Sequence, residues 1–97
     1  MTTLEADLIY LLQRGYHLET MASFSDKRAA LKTNEGGIQK SVIQGATLAS
    51  LRRQGFVDRM FFGRSIYTGR PIPSRRFGLT QLGARIQFKP IEIPGQQ

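Results

Sequence analysis

Apolar residues recur at helical spacing at the start of the chain, which predicts a first helix over residues 2–14. Four leucines stand three, four or one residue apart: Leu4, Leu8, Leu11 and Leu12. Thr2 and Glu5 have the Thr-x-x-Glu spacing of a capping box, in which each side chain accepts a hydrogen bond from the other residue's backbone N–H. Gly15 suits the position just after a helix. This pattern indicates a helix that packs against a core.

A second helix is predicted over residues 45–54. Leu48 and Leu51 face inward, flanked by Thr47 and the stem of Arg52. At 100° per residue the opposite side carries three small residues and one cation, namely Ala46, Ala49, Ser50 and Arg53. Gly55 ends this helix, and a strand begins at Phe56.

The segment between the two helices has two interpretations. In the first, residues 16–24 and 28–33 form a hairpin with a turn at Ser25-Asp26, and residues 38–42 add a third strand. In the second, residues 25–32 form a short helix, the first half of a helix-turn-helix. Periodicity over so few residues does not separate them. Gly36-Gly37 ahead of Ile38 favours the hairpin, because it is typical of a turn that leads into a strand.

The remaining pattern predicts a long hairpin over residues 56–79. Its first strand covers residues 56–67, its second covers residues 75–79, and its Pro- and Gly-containing tip covers residues 68–74. Thr80 caps a short helix over residues 81–87, with Leu82 and Ile86 pointing inward. Residues 89–97 form an extended tail. The fold class is therefore α+β, in a single domain over residues 1–88.

The charge is large and unevenly distributed. The 97-residue chain has a net charge of +7. Residues 1–26 hold four acids and one arginine, a net of −3, whereas residues 27–97 hold thirteen cations and three acids, a net of +10. Such asymmetry in a small domain favours one face that binds a polyanion.

Most of this charge lies in one run of arginines. The segment from Arg52 to Arg76 holds a single acid, Asp58. It holds seven arginines, namely Arg52, Arg53, Arg59, Arg64, Arg70, Arg75 and Arg76. Arginine makes planar, bidentate contacts with phosphate and guanine. Phe61, Phe62, Tyr67 and Phe77 are interleaved with the arginines, and we expect them to pack in the hairpin and core rather than stack on bases. A nucleic-acid partner is the first hypothesis.

Signals for an enzyme or a cofactor are weak. The chain has no cysteine and a single histidine, His17, and its acids are scattered. No P-loop or metal-ligand spacing is present in the sequence. The acidic start is unlike a secretory signal, and no apolar run approaches the length of a membrane span. The expectation is a cytoplasmic protein that is not an enzyme and has no cofactor, no metal and no membrane partner.

Residues 45–83 resemble a known family. A helix, the phrase Gly55-Phe56-Val57, a basic hairpin and the phrase Leu79-Thr80-x-x-Gly83 follow in the order of the recognition helix and wing of winged-helix DNA-binding domains, broadly of the MarR-like or PadR-like kind. The resemblance implies a helix presented to the major groove and a wing that touches the minor groove or backbone. A clear preceding helix is missing between Ser25 and Asn34.

The DNA-binding positions expected from this resemblance and from the charge lie on the helix and on the wing. They are Thr47, Ser50, Arg53, Arg64, Arg70, Arg75 and Arg76. Thr68-Gly69-Arg70-Pro71 also resembles part of an AT-hook core, Arg-Gly-Arg-Pro, with Thr68 in place of the first arginine.

The leading hypothesis is a small transcriptional regulator that binds duplex DNA, as a homodimer. The first helix or Ile91-Glu92-Ile93 would supply the dimer interface. The alternative is a protein-binding adaptor or inhibitor, encoded by a mobile element, whose basic hairpin docks on an acidic protein partner. RNA binding is a third hypothesis.

Overall fold

The computed structural model describes residues 1–21 and 27–88. Within those ranges the elements are α1 (Thr3–Leu12), β1 (Tyr16–Thr20), β2 (Ala29–Thr33), β3 (Gln39–Ile43), α2 (Gly45–Arg53), β4 (Val57–Arg64), β5 (Pro71–Leu79) and α3 (Gln81–Ala84). The turn predicted at Ser25-Asp26 and the tail predicted over residues 89–97 lie outside the described residues. None of the helices in the described ranges is both long and apolar enough to cross a membrane.

The five strands form one antiparallel sheet in the order β3-β2-β1-β5-β4. The central strand β1 pairs Leu18 with Leu31 of β2 on one side and with Phe77 of β5 on the other. The α+β class is confirmed. The hairpin interpretation of the ambiguous segment is also confirmed where it is described, because Ala29–Thr33 is a strand and not part of a helix.

The helices pack on one face of this sheet. The sheet contributes Leu18, Leu31, Ile43, Val57 and Phe77 to the buried cluster, and the helices contribute Leu8, Ile9, Leu12, Leu48 and Leu51. Residues directly opposite in an antiparallel pair share a face, so the pairing of Leu18 with both Leu31 and Phe77 aligns three strands under the helices. The inward positions predicted for Leu48 and Leu51 are confirmed.

Glu5 joins the two long helices. The predicted capping box is present: Thr2 N–H donates to Glu5 Oε1 at 3.1 Å, and Glu5 N–H donates to Thr2 Oγ1 at 3.1 Å. Glu5 Oε2 accepts hydrogen bonds from the Ser50 hydroxyl at 3.0 Å and from the side-chain amide of Gln54. The bonds from the Thr2 backbone and side chain, then those from Ser50 and Gln54, outweigh burial and lower the pKa of Glu5 from 4.5 to about 2.

A close contact between Phe56 and Gly83 closes the other end of the fold. Thr80 N–H donates to the Phe56 carbonyl at 3.1 Å, and the Thr80 hydroxyl donates to the Gly55 carbonyl at 2.5 Å. A Cβ atom added to Gly83 would lie 2.2 Å from the Phe56 carbonyl oxygen, so only glycine fits there. Gln13 donates to the Gly83 carbonyl at 3.1 Å, which ties α1 to the same point.

The last helix also differs from its prediction, and the contact at Gly83 gives the reason. α3 ends at Ala84 rather than at residue 87, and Leu82 is 54% exposed instead of pointing inward. The helix approaches β4 through Gly83, which is buried, so Leu82 beside it turns toward solvent. Ile86 does pack against the core, and Thr80 caps the helix by accepting from Gly83 N–H at 3.2 Å, as predicted.

Replacing Gly83 with alanine should destabilise the protein by about 3 kcal/mol or more, because the methyl group cannot coexist with the Phe56 carbonyl. Replacing glycine with alanine within an exposed helix normally raises the free energy of unfolding by about 1 kcal/mol. A decrease on Gly83→Ala would therefore show the clash by its sign alone. Chemical denaturation measures the change. Gln81→Ala, on the exposed side of the same helix, is the control and should change stability little. Equal stability of Gly83→Ala and the wild type would contradict the contact.

Glu5 should make stability depend on acid pH. Since its pKa is lowered in the folded state, its contribution is present above about pH 4.5 and is lost as the pH falls toward about 2. Glu5→Gln should be less stable at neutral pH and should lose less stability over that acid range. Thermal unfolding between pH 2 and pH 7 measures both effects. Asp7→Asn, an exposed acid on the same helix, is the matched control. An unchanged pH profile in Glu5→Gln would contradict this role.

Candidate nucleic-acid interface

Strands β4 and β5 continue past the sheet as a two-stranded arm, residues 61–73. β1 pairs with β5 at Leu18 with Phe77 and at Glu19 with Arg76, so within residues 1–21 and 27–88 the arm has no third strand. The molecule measures 62 × 28 × 28 Å, with a radius of gyration of 15.5 Å. A compact domain of this length would have a radius of about 13 Å. The arm therefore projects from the packed body.

The turn of the arm differs from the sequence prediction. The predicted tip, residues 68–74, is wrong: the turn lies between Arg64 and Pro71, and both Pro71 and Pro73 belong to β5. Proline donates no backbone hydrogen bond and is tolerated in a strand that lacks a neighbour on one side. Because β1 does not follow β5 this far, the two prolines do not end the strand.

The turn is closed by its own hydrogen bonds. Ser65 N–H donates to the Arg70 carbonyl at 2.9 Å, and Gly69 N–H donates to the Ser65 carbonyl at 2.9 Å. The Ser65 hydroxyl oxygen accepts from Tyr67 N–H at 3.2 Å and from Thr68 N–H at 3.4 Å. Gly69 has φ +67°, the left-handed conformation that favours glycine. The turn thus has a defined shape.

A β-bulge at Ser74 fixes the base of the arm. The pairing shifts between Arg59 and Phe61, and Ser74 is only 3% exposed at that point. Its hydroxyl donates to the Met60 carbonyl at 2.8 Å and accepts from Arg76 N–H at 3.0 Å, and its carbonyl accepts from Arg59 Nη1 at 2.6 Å. Bulges bend and twist the strand that carries them, so Ser74 sets the direction of the arm.

Two of the seven arginines support the fold. The guanidinium carbons of Arg52 and Arg59 lie 5.1 Å and 4.8 Å from the ring centroid of Phe77, which is buried. Arg52 also pairs with Asp58 at 3.8 Å. These two cations cover the edge of the core and are less available to a partner.

Four expected site residues on the hairpin are exposed: Arg64, Arg70, Arg75 and Arg76. Arg76 Nε lies 3.4 Å from Glu19 Oε1, and Lys32 Nζ lies 2.5 Å from Glu19 Oε2. The hydrogen bond from Lys32, helped by Arg76 and opposed by burial, lowers the pKa of Glu19. No side chain in residues 1–21 and 27–88 is hydrogen-bonded to the guanidinium of Arg70 or Arg75. These two cations are uncompensated within that part of the chain.

The three expected site residues on α2 differ in how exposed they are. Arg53 is exposed, as are Ala46 and Ala49. Ser50 is half-buried and donates to Glu5, so the expectation that it faces outward is wrong: the buried carboxylate draws this hydroxyl toward α1. Thr47 is half-buried and lines a cleft beside α1. The four hairpin arginines are thus exposed along β4, the turn and β5, whereas only Arg53 is exposed among the three helix positions.

The aromatic residues of the arm were also predicted incorrectly. Phe61, Phe62 and Tyr67 are 56%, 71% and 91% exposed, rather than packed. Phe77 alone of that group is in the core, as expected. No layer of the described residues faces the arm, so its side chains cannot be buried however apolar they are. Ile66, 90% exposed beside Tyr67, is a feature that sequence reasoning missed.

The described residues contain no group of three or more histidine and acidic side chains that could hold a metal ion. No protein-family model, curated protein or solved structure matches this chain. The arm, its arginines and α2 are therefore interpreted from their own geometry and charge.

Ser74→Ala should destabilise the protein by about 1–2 kcal/mol, since the Met60 carbonyl and Arg76 N–H lose their partner. Amide hydrogen exchange at Arg76 should accelerate more than exchange in α1. Denaturant unfolding and exchange measurements check both. Ser41→Ala, at an exposed position of β3, is the matched control and should change neither. Unaltered exchange at Arg76 in Ser74→Ala would show that the bulge does not depend on this hydroxyl.

Proposed function

We propose that this protein binds duplex DNA through its arm and the adjoining end of α2, as a small transcriptional regulator with a winged-helix-like arrangement. The observation that carries the proposal is the charge of the β4–β5 hairpin. No acidic residue occurs from Arg59 to Phe88, and four arginines on β4, the turn and β5 are exposed. Duplex DNA is a dense line of negative charge that such a projecting, cationic element can follow.

The base of the arm supports the winged-helix-like part of the proposal. The contact between Phe56 and Gly83 joins the end of α2, the start of β4 and the beginning of α3. Phe56 and Gly83 belong to the two sequence phrases that carry the family resemblance. Arg53, in the last turn of α2, is exposed near the beginning of β4. Helix and arm can thus present cations from neighbouring elements.

The presence of strand β2 changes which residues we expect to contact DNA. Where the resemblance leads one to expect a helix before α2, Ala29–Thr33 is a strand. Ser50 is engaged with Glu5, and Thr47 is half-buried. We therefore assign the main contacts to the β4–β5 hairpin, with Arg53 as the contribution of α2. Phosphate contacts of this kind position a protein on DNA, and they carry little sequence information.

A second candidate function is docking on an acidic protein. The exposed apolar side chains of the arm favour it, since Phe61, Phe62 and Tyr67 would suit a protein interface. The two functions differ in their response to salt and to nuclease. Binding to random duplex DNA in purified form supports the first, whereas capture of an acidic protein after nuclease treatment, without DNA binding, supports the second.

The arginines should give binding a steep salt dependence. If about five of them meet phosphates, the slope of log affinity against log salt should be roughly −4 to −5. Replacing Arg70 and Arg75 together with alanine should reduce the magnitude of that slope by about two and weaken binding to all duplex sequences alike. Fluorescence anisotropy with random duplexes between about 50 and 200 mM salt measures it.

The matched control is Lys40→Ala. It removes one cation from β3, at the opposite edge of the sheet from β4, and Lys40 is exposed. The slope of log affinity against log salt should be the same for Lys40→Ala as for the wild type. A flat salt response in the wild type, or a change in Lys40→Ala as large per charge as in the arginine variant, would sink the proposal.

A further inference from the structure

The turn of the arm presents two large apolar side chains to solvent. Ile66 and Tyr67 are 90% and 91% exposed, higher values than those of the other exposed large apolar residues in the described ranges. They are adjacent, and they lie at the point of the arm farthest along its two strands. Together with Phe61 and Phe62, which are also exposed on the arm, they make this end of the molecule unusually apolar, and contiguous exposed apolar surface often marks a binding site.

The backbone beneath these side chains is already organised. The Ser65 hydroxyl accepts from both Tyr67 N–H and Thr68 N–H, and two backbone hydrogen bonds connect Ser65 with Gly69 and Arg70. Arg64 Nη1 donates to the Gly69 carbonyl at 2.9 Å across the turn. A preorganised turn loses little conformational entropy on binding, so its apolar side chains can be inserted into a partner at low cost.

The charge around the turn identifies the chemistry of that partner. Arg64 and Arg70 stand on either side of Ile66 and Tyr67, and the whole arm lacks an acid. An apolar pair between two cations matches a stack of bases between two lines of phosphate. The partner is therefore a nucleic-acid duplex, and this inference rests on the proposed function.

We propose that Ile66 and Tyr67 insert between adjacent base pairs from the minor groove and bend the duplex. Two paired strands lie about 4.8 Å apart before their side chains are counted, whereas the minor groove of B-DNA is only about 6 Å wide. The arm enters that groove only if the groove opens. Apolar side chains that wedge into a base step kink DNA toward the major groove and open the minor groove.

The major groove would accept a two-stranded ribbon without deformation. A ribbon that reads base edges there needs hydrogen-bonding side chains at its tip. Ile66 has none, and Tyr67 has a single hydroxyl. The Ser65 and Thr68 hydroxyl oxygens accept hydrogen bonds within the turn. The two most exposed side chains of the turn therefore favour insertion over the reading of base edges. Arg64 and Arg70 would then contact the phosphates beside the opened step.

The first experiment measures bending. A random duplex of about 30 base pairs carries a fluorescent donor and acceptor at its ends, and energy transfer is recorded on addition of the full chain. The wild type should raise the transfer, because a bend brings the ends together. The double variant Ile66→Ser with Tyr67→Ser should bind within about tenfold of the wild type, since the arginines remain, but should leave the transfer unchanged.

Ile38→Ser is the matched control. Ile38 is an exposed isoleucine, 57% exposed, beside the turn between β2 and β3. This variant should bind and bend DNA like the wild type. If the double variant bends DNA as much as the wild type, or if the wild type binds without bending, insertion is overturned while DNA binding stands. If the wild type binds no duplex at any salt concentration, the proposed function itself fails.

A second experiment observes the insertion directly. The chain has no tryptophan, so Tyr67→Trp places a single indole at the turn. Duplex DNA should quench its fluorescence and protect it from acrylamide, whereas the indole of Ile38→Trp should stay accessible. Equal accessibility in the two variants would overturn the proposal. Quenching that is stronger on single-stranded DNA, without any bend in the duplex, would overturn it in favour of stacking on unpaired bases.

Discussion

The close contact between Gly83 and the carbonyl of Phe56 is the constraint on which the rest of the structure depends. It brings the start of β4 and the beginning of α3 to within van der Waals distance, at a separation that leaves no room for a Cβ atom. Gln13 reaches the same point from α1. Because both ends of the β4–β5 hairpin are held here, the paired strands project from one anchored base. An arm of this length can keep a fixed direction only if its base is rigid.

The acids of the protein explain why the arm remains so positive. Glu5 accepts hydrogen bonds within the fold, Glu19 is shared by Lys32 and Arg76, and Asp58 lies near Arg52. Each of these carboxylates is occupied near the sheet or the helices. None is placed beyond Asp58 along the arm, since the segment from Arg59 to Phe88 contains no acid. The arm and the strand segments that lead into it therefore keep their positive charge, because no acid lies among their arginines.

Local signals in the sequence were sufficient for the body of the fold. The leucines of α1, the Thr2–Glu5 capping box and Leu48 and Leu51 of α2 follow from spacing, and Gly36-Gly37 favoured the strand found at residues 29–33 over a helix. The predictions that were wrong concern residues whose surroundings are set by tertiary neighbours. Ser50 lies on the expected side of an isolated helix, but it turns to a carboxylate 45 residues earlier in the chain.

The arm was the least predictable part, for the same reason. Two prolines usually mark a turn, yet Pro71 and Pro73 lie in a strand because β1 ends its pairing at Arg76. Phe61 and Phe62 are of a type that is usually buried, and they are exposed because no described element covers them. Whether an aromatic residue is core or surface depends on the layer opposite to it, and this information is not local in sequence.

An exposed apolar arm is a liability for a free protein, and its arginines bear on that liability as well as on binding. β4 is an edge strand that exposes Met60, Phe61 and Phe62, and such an edge can pair with another copy. Two features oppose this pairing. The shifts of register in β4 and β5 make the edge irregular, and arginines on every arm make two arms repel each other. The same charges attract a polyanion. Positive charge thus keeps the arm separate from its copies and directs it toward phosphate, so one set of residues meets both requirements.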